Sequence, residues 1–404
     1  MKYMKRDIVG TVGHALEQMP VVVVTGIRQS GKSTLVLDDA GFKNREYFTL
    51  DDFGVRRTME ENPDAILEAH GALTIDEAQR VPGLFLAIKR SVDKGRTPGR
   101  FLLTGSANPS LLRGVTESLA GRAVYFNLEP MNRREIRGEV GRQPFLLEFL
   151  EKFTLPRKRK VVRISEEDIR LGGLPPVALG EVSDPTVWFS GFEQTYIERD
   201  LRDVASVENV IGFRDLMKLS ALRTAQILNI TELGRDARLQ AKTAARYLGW
   251  LEAAFIVKRV PPYLRNRASR VKKAPKLYVS DSGLACHLTG ITDLTDSPLR
   301  GALLETYVRQ NINSILNTRL PAGGLFYWRT QAGKEVDFVI EIDRQIIAIE
   351  VKSSATWSRS DVSALQEFLS VTPDCKAAVI AHNGEEALQI GERMWAIPLD
   401  LLLS

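Results

Sequence analysis

Cysteine is scarce: Cys286 and Cys375 are the only two among 404 residues, far apart and in no zinc-ligand or disulfide spacing. A structural zinc module is thereby excluded, and a reducing compartment is the matching environment. Long hydrophobic runs are missing as well. No segment approaches the ~18 continuous apolar residues of a membrane span. The basic opening MKYMKR is followed by a polar stretch, and VVVV leads straight into a loop. Neither a signal peptide nor membrane association is expected, and the expected location is cytoplasmic. A strong charge of one sign is absent too, the formal net charge being +5. So small a value permits nucleic-acid binding without demanding it, because local distribution outweighs the total. What remains is an ordinary globular composition, 44% hydrophobic and 26% charged with 30 Gly and 18 Pro, in a length that suggests two or three domains.

The most informative stretch is VVVVTGIRQSGKSTL, residues 21–35. Gly26, Ile27, Arg28, Gln29, Ser30, Gly31, Lys32 and Ser33 satisfy G-x-x-x-x-G-K-[ST], with a buried-strand run before and a helix start at Ser33-Thr34 after. In that geometry loop N–H groups and the helix N-terminus hold phosphates, Lys32 reaches the β and γ oxygens of ATP, and Ser33 ligates Mg²⁺. LTIDEAQ supplies the complement: Asp76 for Mg²⁺, mostly through water, and Glu77 to polarise the attacking water. In FLLTGSAN, Ser106 or Asn108 is placed to touch the γ-phosphate or its water, unless the segment is a plain strand-to-loop turn. Arg122, after LAG, is either a phosphate-sensing finger, within the chain or across a subunit boundary, or a surface arginine at a strand start. The β-α rhythm at 21–24, 47–50, 73–75 and 101–104 predicts a mostly parallel sheet with helices on both faces and its ligand at the carboxyl ends of the strands.

Beyond Pro130 this rhythm stops. A helix start is expected at 131–135, a basic linker or nucleic-acid contact at 157–160, a rigid turn at LGGLPP (171–176) and an amphipathic helix over 188–201. A helix over 216–225 follows; Asn229 with Glu232 forms a capping-box pattern opening a short helix over 231–238. A longer helix then carries Lys242, Arg246 and Trp250 on the way to an alternating strand at 255–260. That is the order of a helix-turn-helix with a wing. Gln240, Lys242, Thr243 and Arg246 form its exposed edge, and Arg265, Arg267, Arg270, Lys272, Lys273 and Lys276 a basic stretch downstream. Both a DNA contact and a packing role fit this pattern.

Near the C-terminus, strands are expected at 325–329, 335–340 and 345–352. Period two places Glu335, Asp337 and Val339 on one face of one strand, and Glu350 with Lys352 on one face of the next. Asp337 and Glu350 then form a Mg²⁺ pair with Lys352 beside it, and Glu305, in a helix over 301–311, is a third carboxylate. Phosphodiester hydrolysis uses such a set. Charges at the ends of apolar strands give the same pattern without any metal.

Taken together, GIRQSGKST, LTIDEAQ, LLTGSAN, LAGR, LGGLPP, KLYVSDSGLA, LLETYV, YWRTQAGKEVDFVI and AIEVKSS resemble, nearly end to end, a family of predicted bacterial and archaeal ATPases. Its members join an N-terminal AAA_14 domain to a C-terminal DUF4143 region. The resemblance implies an α/β fold: a P-loop AAA+-like parallel sheet (1–130), lid or linker helices (131–205), a winged-helix segment (206–265) and a restriction-endonuclease-like domain (266–404). Lys32, Ser33, Asp76 and Glu77 fall on its ATPase motifs; Glu305, Asp337, Glu350 and Lys352 fall on its PD-(D/E)xK-type motif. Pro176 stands where relatives often carry an acidic residue. The leading expectation, beyond what the resemblance itself implies, is Mg²⁺-dependent ATP hydrolysis driving action on double-stranded or branched DNA, with the C-terminal domain gripping the DNA and metal-dependent cutting left open. Lys242, Arg246, Arg270, Lys272 and Lys273 are the expected DNA contacts, and further copies of the chain are expected partners. A DNA-remodelling motor without cleavage and a signalling switch acting on partner proteins are the alternatives.

Overall fold

The computed structural model describes residues 3–105, 119–156, 160–195, 209–343 and 345–404. Ser106, Asn108, most of the basic run at 157–160 and the end of the helix expected over 188–201 lie outside the described residues. The described residues among 1–130, 192–208 and 249–256 form one compact unit, and those among 131–191, 209–248 and 257–404 form a second.

In the first unit, β1 (Val21–Thr25), β2 (Glu46–Thr49), β3 (Leu73–Asp76), β4 (Phe101–Thr104) and β5 (Ala123–Asn127) lie in the order β2-β3-β4-β1-β5, every pair parallel. β1 is apolar without interruption because both its faces are covered. Val21 and Val23 join a cluster with Leu84, Phe85 and Ile88 of helix Leu84–Lys94. Val22 and Val24 face the other way, to Val12 of helix Val9–Gln18 and Leu35 of helix Lys32–Asp38. Since all strands run one way, Thr25, Asp76 and Thr104 emerge at a single edge.

The second unit contains two further sheets. Helix Val210–Leu222 leads to β6 (Gln226–Ile227), helix Ile230–Asp236, helix Ala241–Ala253, β7 (Val257–Val260) and β8 (Lys276–Val279), and the three strands pair antiparallel as β6-β8-β7. Asn229 caps the short helix by accepting from Glu232 N. That helix stops before Arg238, and the strand expected from 255 starts at Val257, because Arg238 and Phe255 take left-handed backbone (φ 55° and 59°). A six-stranded mixed sheet follows in the order β13-β14-β12-β11-β10-β9. Its strands are β9 (Gly324–Arg329), β10 (Glu335–Ile342), β11 (Gln345–Lys352), β12 (Cys375–His382), β13 (Leu388–Gly391) and β14 (Met394–Pro398). Helix Ser363–Val371 covers one face with Leu365 and Phe368. The pairing of β9 with β10 shifts register between Val336 and Val339, and both valines join the cluster beneath that helix. The bulge thus takes Val339 away from the face it was expected to share with Glu335 and Asp337.

LGGLPP is more than a turn. Pro175 and Pro176 open helix Pro175–Ala178, where a missing N–H costs nothing. Gly172 has φ 67°, and a Cβ on Gly173 would lie 2.1 Å from the Met131 carbonyl oxygen. Gly173 N donates to buried Asp281 at 2.7 Å, and Asp281 also caps helix Ser282–Thr289 through Leu284 N at 2.8 Å. Burial raises the Asp281 carboxyl to about 6, against the pull of these N–H donors. Gly173→Ala is therefore expected to destabilise the second unit by about 1–3 kcal/mol or more, read by urea denaturation against the wild type.

Candidate functional site

The loop between β1 and helix Lys32–Asp38 needs glycine at both ends. Gly26 has φ 154°, with the Leu128 carbonyl oxygen 2.4 Å from where a Cβ would stand; Gly31 has φ 91° and caps the helix. Gln29 is also left-handed (φ 60°). Lys32 is buried, its ammonium donating to Gly26 O at 3.2 Å and Ile27 O at 3.1 Å, while Ser33 is half-buried and Thr34 exposed. Ser30 Oγ is buried and has no hydrogen-bond partner among the described residues. A lysine, an orphaned hydroxyl and a glycine-framed backbone cradle at a helix start fit a phosphate group. Arg6 completes the loop, donating to Ser30 O at 2.8 Å and Glu129 O at 2.7 Å. Sequence reading passed over it as part of a basic opening.

Asp76 ends β3 at the same sheet edge and is buried. It accepts from the Tyr47 hydroxyl at 3.0 Å and from Thr104 Oγ1. Both donors are neutral, so they orient the carboxylate without cancelling its charge. Burial, then the charge of Asp76, hold the Tyr47 hydroxyl above its ordinary pKa. Glu77, the next residue, sits in left-handed backbone (φ 55°) and accepts from Gln79. Neither Tyr47 nor Thr104 was singled out from the sequence; Thr104 closes β4 as Asp76 closes β3, which was an available signal, whereas Tyr47 is the second residue of β2 and reaches Asp76 only through its long side chain.

Arg122 lies elsewhere. Ala123 pairs with Val21, so Arg122 stands at the amino-terminal end of the strands, about 20 Å along the sheet from the loop that begins at Gly26. Its guanidinium donates to Asp93 at 2.6 Å and to Ala120 O at 3.1 Å, and the bond to Asp93 holds that carboxylate below its ordinary pKa. A finger acting on the nucleotide of its own chain is corrected by this geometry.

In the second unit, one step beyond the Phe338–Ile349 pair, Asp337 on β10 comes opposite Glu350 on β11; Asp337 accepts from Val351 N at 2.9 Å. Glu305, on helix Arg300–Arg319, accepts from Tyr278 at 2.5 Å and from the Lys276 ammonium at 2.9 Å. Lys276 also pairs with Glu335 and lies 3.6 Å from Asp337. Its side chain is 1% exposed. The Lys276 counted in the exposed basic stretch therefore turns inward. Lys352 pairs with Glu350 at 3.2 Å and Asp361 at 3.5 Å. Among the described residues no group of three His, Cys, Asp or Glu side chains is arranged to hold a metal ion. With an ammonium already among the carboxylates, these residues do not fit the metal site expected of Glu305, Asp337, Glu350 and Lys352.

The proposed DNA contacts divide. Lys242, Arg246, Lys272 and Lys273 are exposed. Arg270 is not: its guanidinium stacks on Tyr263 and Phe326 (4.6 and 4.5 Å to the ring centroids), donates to Leu264 O at 2.6 Å and pairs with Glu341. It anchors the excursion between β7 and β8 and is corrected from DNA contact to structural residue.

Comparison with known proteins follows the same division. The chain is 31% identical over 408 residues to the uncharacterized protein Rv2008c of Mycobacterium tuberculosis, spanning 99% of this chain and 85% of that one; Mb2031c of Mycobacterium bovis matches equally. A family model described as an AAA domain (AAA_14) matches residues 18–137, and one for a domain of unknown function (DUF4143) matches 300–402. The chain belongs to this AAA_14–DUF4143 family. A further domain of unknown function (DUF8612) matches 164–295, across the middle segment divided above at 205 and 265. Among solved structures, the family member is similar to the Walker-type ATPase PABY2304 of Pyrococcus abyssi (15% identity, TM-score 0.45, 71% of this chain and 96% of that one). It is also similar to a variant of RuvB from Thermotoga maritima (16%, TM-score 0.30, 66% and 94%). No described helix is long and apolar enough to cross a membrane.

Burial, then the Asp337 charge, push the Glu305 carboxyl from 4.5 up to about 8. A folded-state pKa above the unfolded one contributes stability that is full below about 4.5 and is lost as pH rises through about 8. The melting temperature of the second unit is expected to fall across that window, and Glu305→Gln to flatten the fall, as measured by thermal denaturation from pH 4 to 9.

Proposed function

We propose that this family member is an Mg²⁺-dependent ATPase whose hydrolysis drives action on double-stranded or branched DNA without cutting it. The observation that carries the ATPase reading is the meeting at one sheet edge of the 26–34 loop, with Lys32, and of Asp76-Glu77. Lys32 binds and orients the terminal phosphates, Ser33 and Asp76 are the residues that would hold the metal, and Glu77 takes the proton of the attacking water. When bound, Mg²⁺ neutralises charge on the phosphate oxygens. Tyr47 and Thr104 orient Asp76. Ser106 and Asn108 remain part of the proposal as contacts to the terminal phosphate, and Arg122 as a finger reaching a neighbouring copy.

DNA as the partner is supported by the order of elements from helix Val210–Leu222 to β8, which is that of a winged helix. Lys242 and Arg246 lie on its longer helix, and exposed Lys272 and Lys273 in the excursion corresponding to the wing. Action without cleavage is favoured over a nuclease by the Lys276 ammonium among the carboxylates.

ATP turnover by the full chain should rise with added duplex or branched DNA, and Lys32→Ala should abolish it. A Lys272→Ala/Lys273→Ala variant should lose most of the stimulation and bind DNA with a weaker salt dependence. Normal basal turnover that stays flat across every DNA form would sink the DNA reading and leave the partner-protein switch. Arg122→Ala should lower turnover while nucleotide affinity, measured by titration calorimetry, stays unchanged.

A further inference from the structure

Lys276 belongs to β8 in the three-stranded sheet, yet its ammonium lies among carboxylates of two other elements. It is 2.9 Å from Glu305 Oε1, 3.6 Å from Asp337 Oδ1, and paired with Glu335. Tyr278, two residues along and therefore on the same face of β8, donates to the same Glu305 oxygen. That oxygen accepts from two donors, one of them fully charged. The root of the lysine is fixed as well: Lys276 pairs across the sheet with Ile227 on one side and Val260 on the other. The backbone of Lys276 is thereby held on both sides, so the ammonium can reach only the volume its side chain spans from that point.

We propose that Lys276 is the resident cation of this site, its ammonium standing where a divalent metal would have to bind between Glu305 and Asp337. A hard divalent cation needs oxygens at roughly 2.0–2.6 Å and cannot share that volume with an ammonium. Glu350 has a cation of its own on one oxygen, since Lys352 lies 3.2 Å from its Oε1 and 3.5 Å from Asp361, while its buried Oε2 has no hydrogen-bond partner among the described residues. A tethered side chain also competes at an effective concentration that dilution does not lower. The nuclease-like corner thus has an ammonium in the place a metal would need between Glu305 and Asp337, and no activated water to deliver. This inference stands apart from the ATPase and DNA readings, because it concerns cation uptake by protein free of both.

The test is Mn²⁺ uptake by the nucleotide-free, DNA-free full chain, followed by the loss of the free-ion electron paramagnetic resonance signal. Wild type and Asp337→Asn should take up the same amount. Lys276→Met, with its fold checked by circular dichroism, should gain a Mn²⁺ site that disappears when Asp337→Asn is added. Uptake by the wild type that Asp337→Asn removes would overturn the proposal. So would a folded Lys276→Met that gains no site. The comparison of wild type with Asp337→Asn decides the matter even where Lys276→Met does not fold.

Discussion

One buried ammonium sets the arrangement of the second unit. An unpaired charge in an apolar interior is prohibitively costly, and removing one partner of a buried pair typically costs about 3–5 kcal/mol. Burial alone would lower the pKa of Lys276, but the charges of Glu305, Asp337 and Glu335 reverse this and hold it above that of an ordinary lysine. For that pairing to exist, β8 must lie against both helix Arg300–Arg319 and β10. Because β8 is the centre of the three-stranded sheet, β6 and β7 are carried with it. Arg270 repeats the device a few residues earlier, fixing the excursion between β7 and β8 to Glu341 of β10. The backbone continues it: Tyr263 N donates to Tyr327 O and Tyr327 N to Pro261 O, which covers part of the edge of β9.

Asp281 applies the same logic on the other side of β8. It is held by N–H donors of Gly173 and Leu284 rather than by a paired cation. Only a residue without a side chain lets the 172–173 backbone come that close. LGGLPP and SDSGLA, widely separated in the chain, are therefore two halves of one contact. Such stretches read as motifs because their geometry tolerates little change, and here their chemistry is that of folding rather than catalysis.

Much of this was legible in the residues. The P-loop is a short-range pattern whose backbone demands, glycine at 26 and 31, are written into it. The Val21–Val24 run announced a strand covered on both faces, and Asn229 with Glu232 announced a helix start. The direction in which a charged side chain points was not legible. Arg270 and Lys276 sit in a basic stretch whose composition suggests a solvated surface, and only their distant partners, Glu341 and the Glu305–Asp337 pair, draw them inward. Of the readings of Arg122, the finger within its own chain conflicts with the topology: the residue precedes its strand, and in a parallel sheet that puts it at the end away from the P-loop. The bulge between Val336 and Val339 broke a period-two reading that was sound on either side of it.

The two carboxylate sites of the chain separate by the kind of donor each receives. Asp76 is oriented by hydroxyls, from Tyr47 and Thr104, which fix its direction without cancelling its charge. A carboxylate prepared in that way retains its attraction for a cation arriving from outside. Glu305 is oriented by an ammonium together with the Tyr278 hydroxyl, and Asp337 by Val351 N with that same ammonium 3.6 Å away, so a cation already stands between them. Both arrangements satisfy the rule that buried polar groups must be partnered. Motif spacing that looks alike at both places therefore meets neutral donors at one and a resident ammonium at the other.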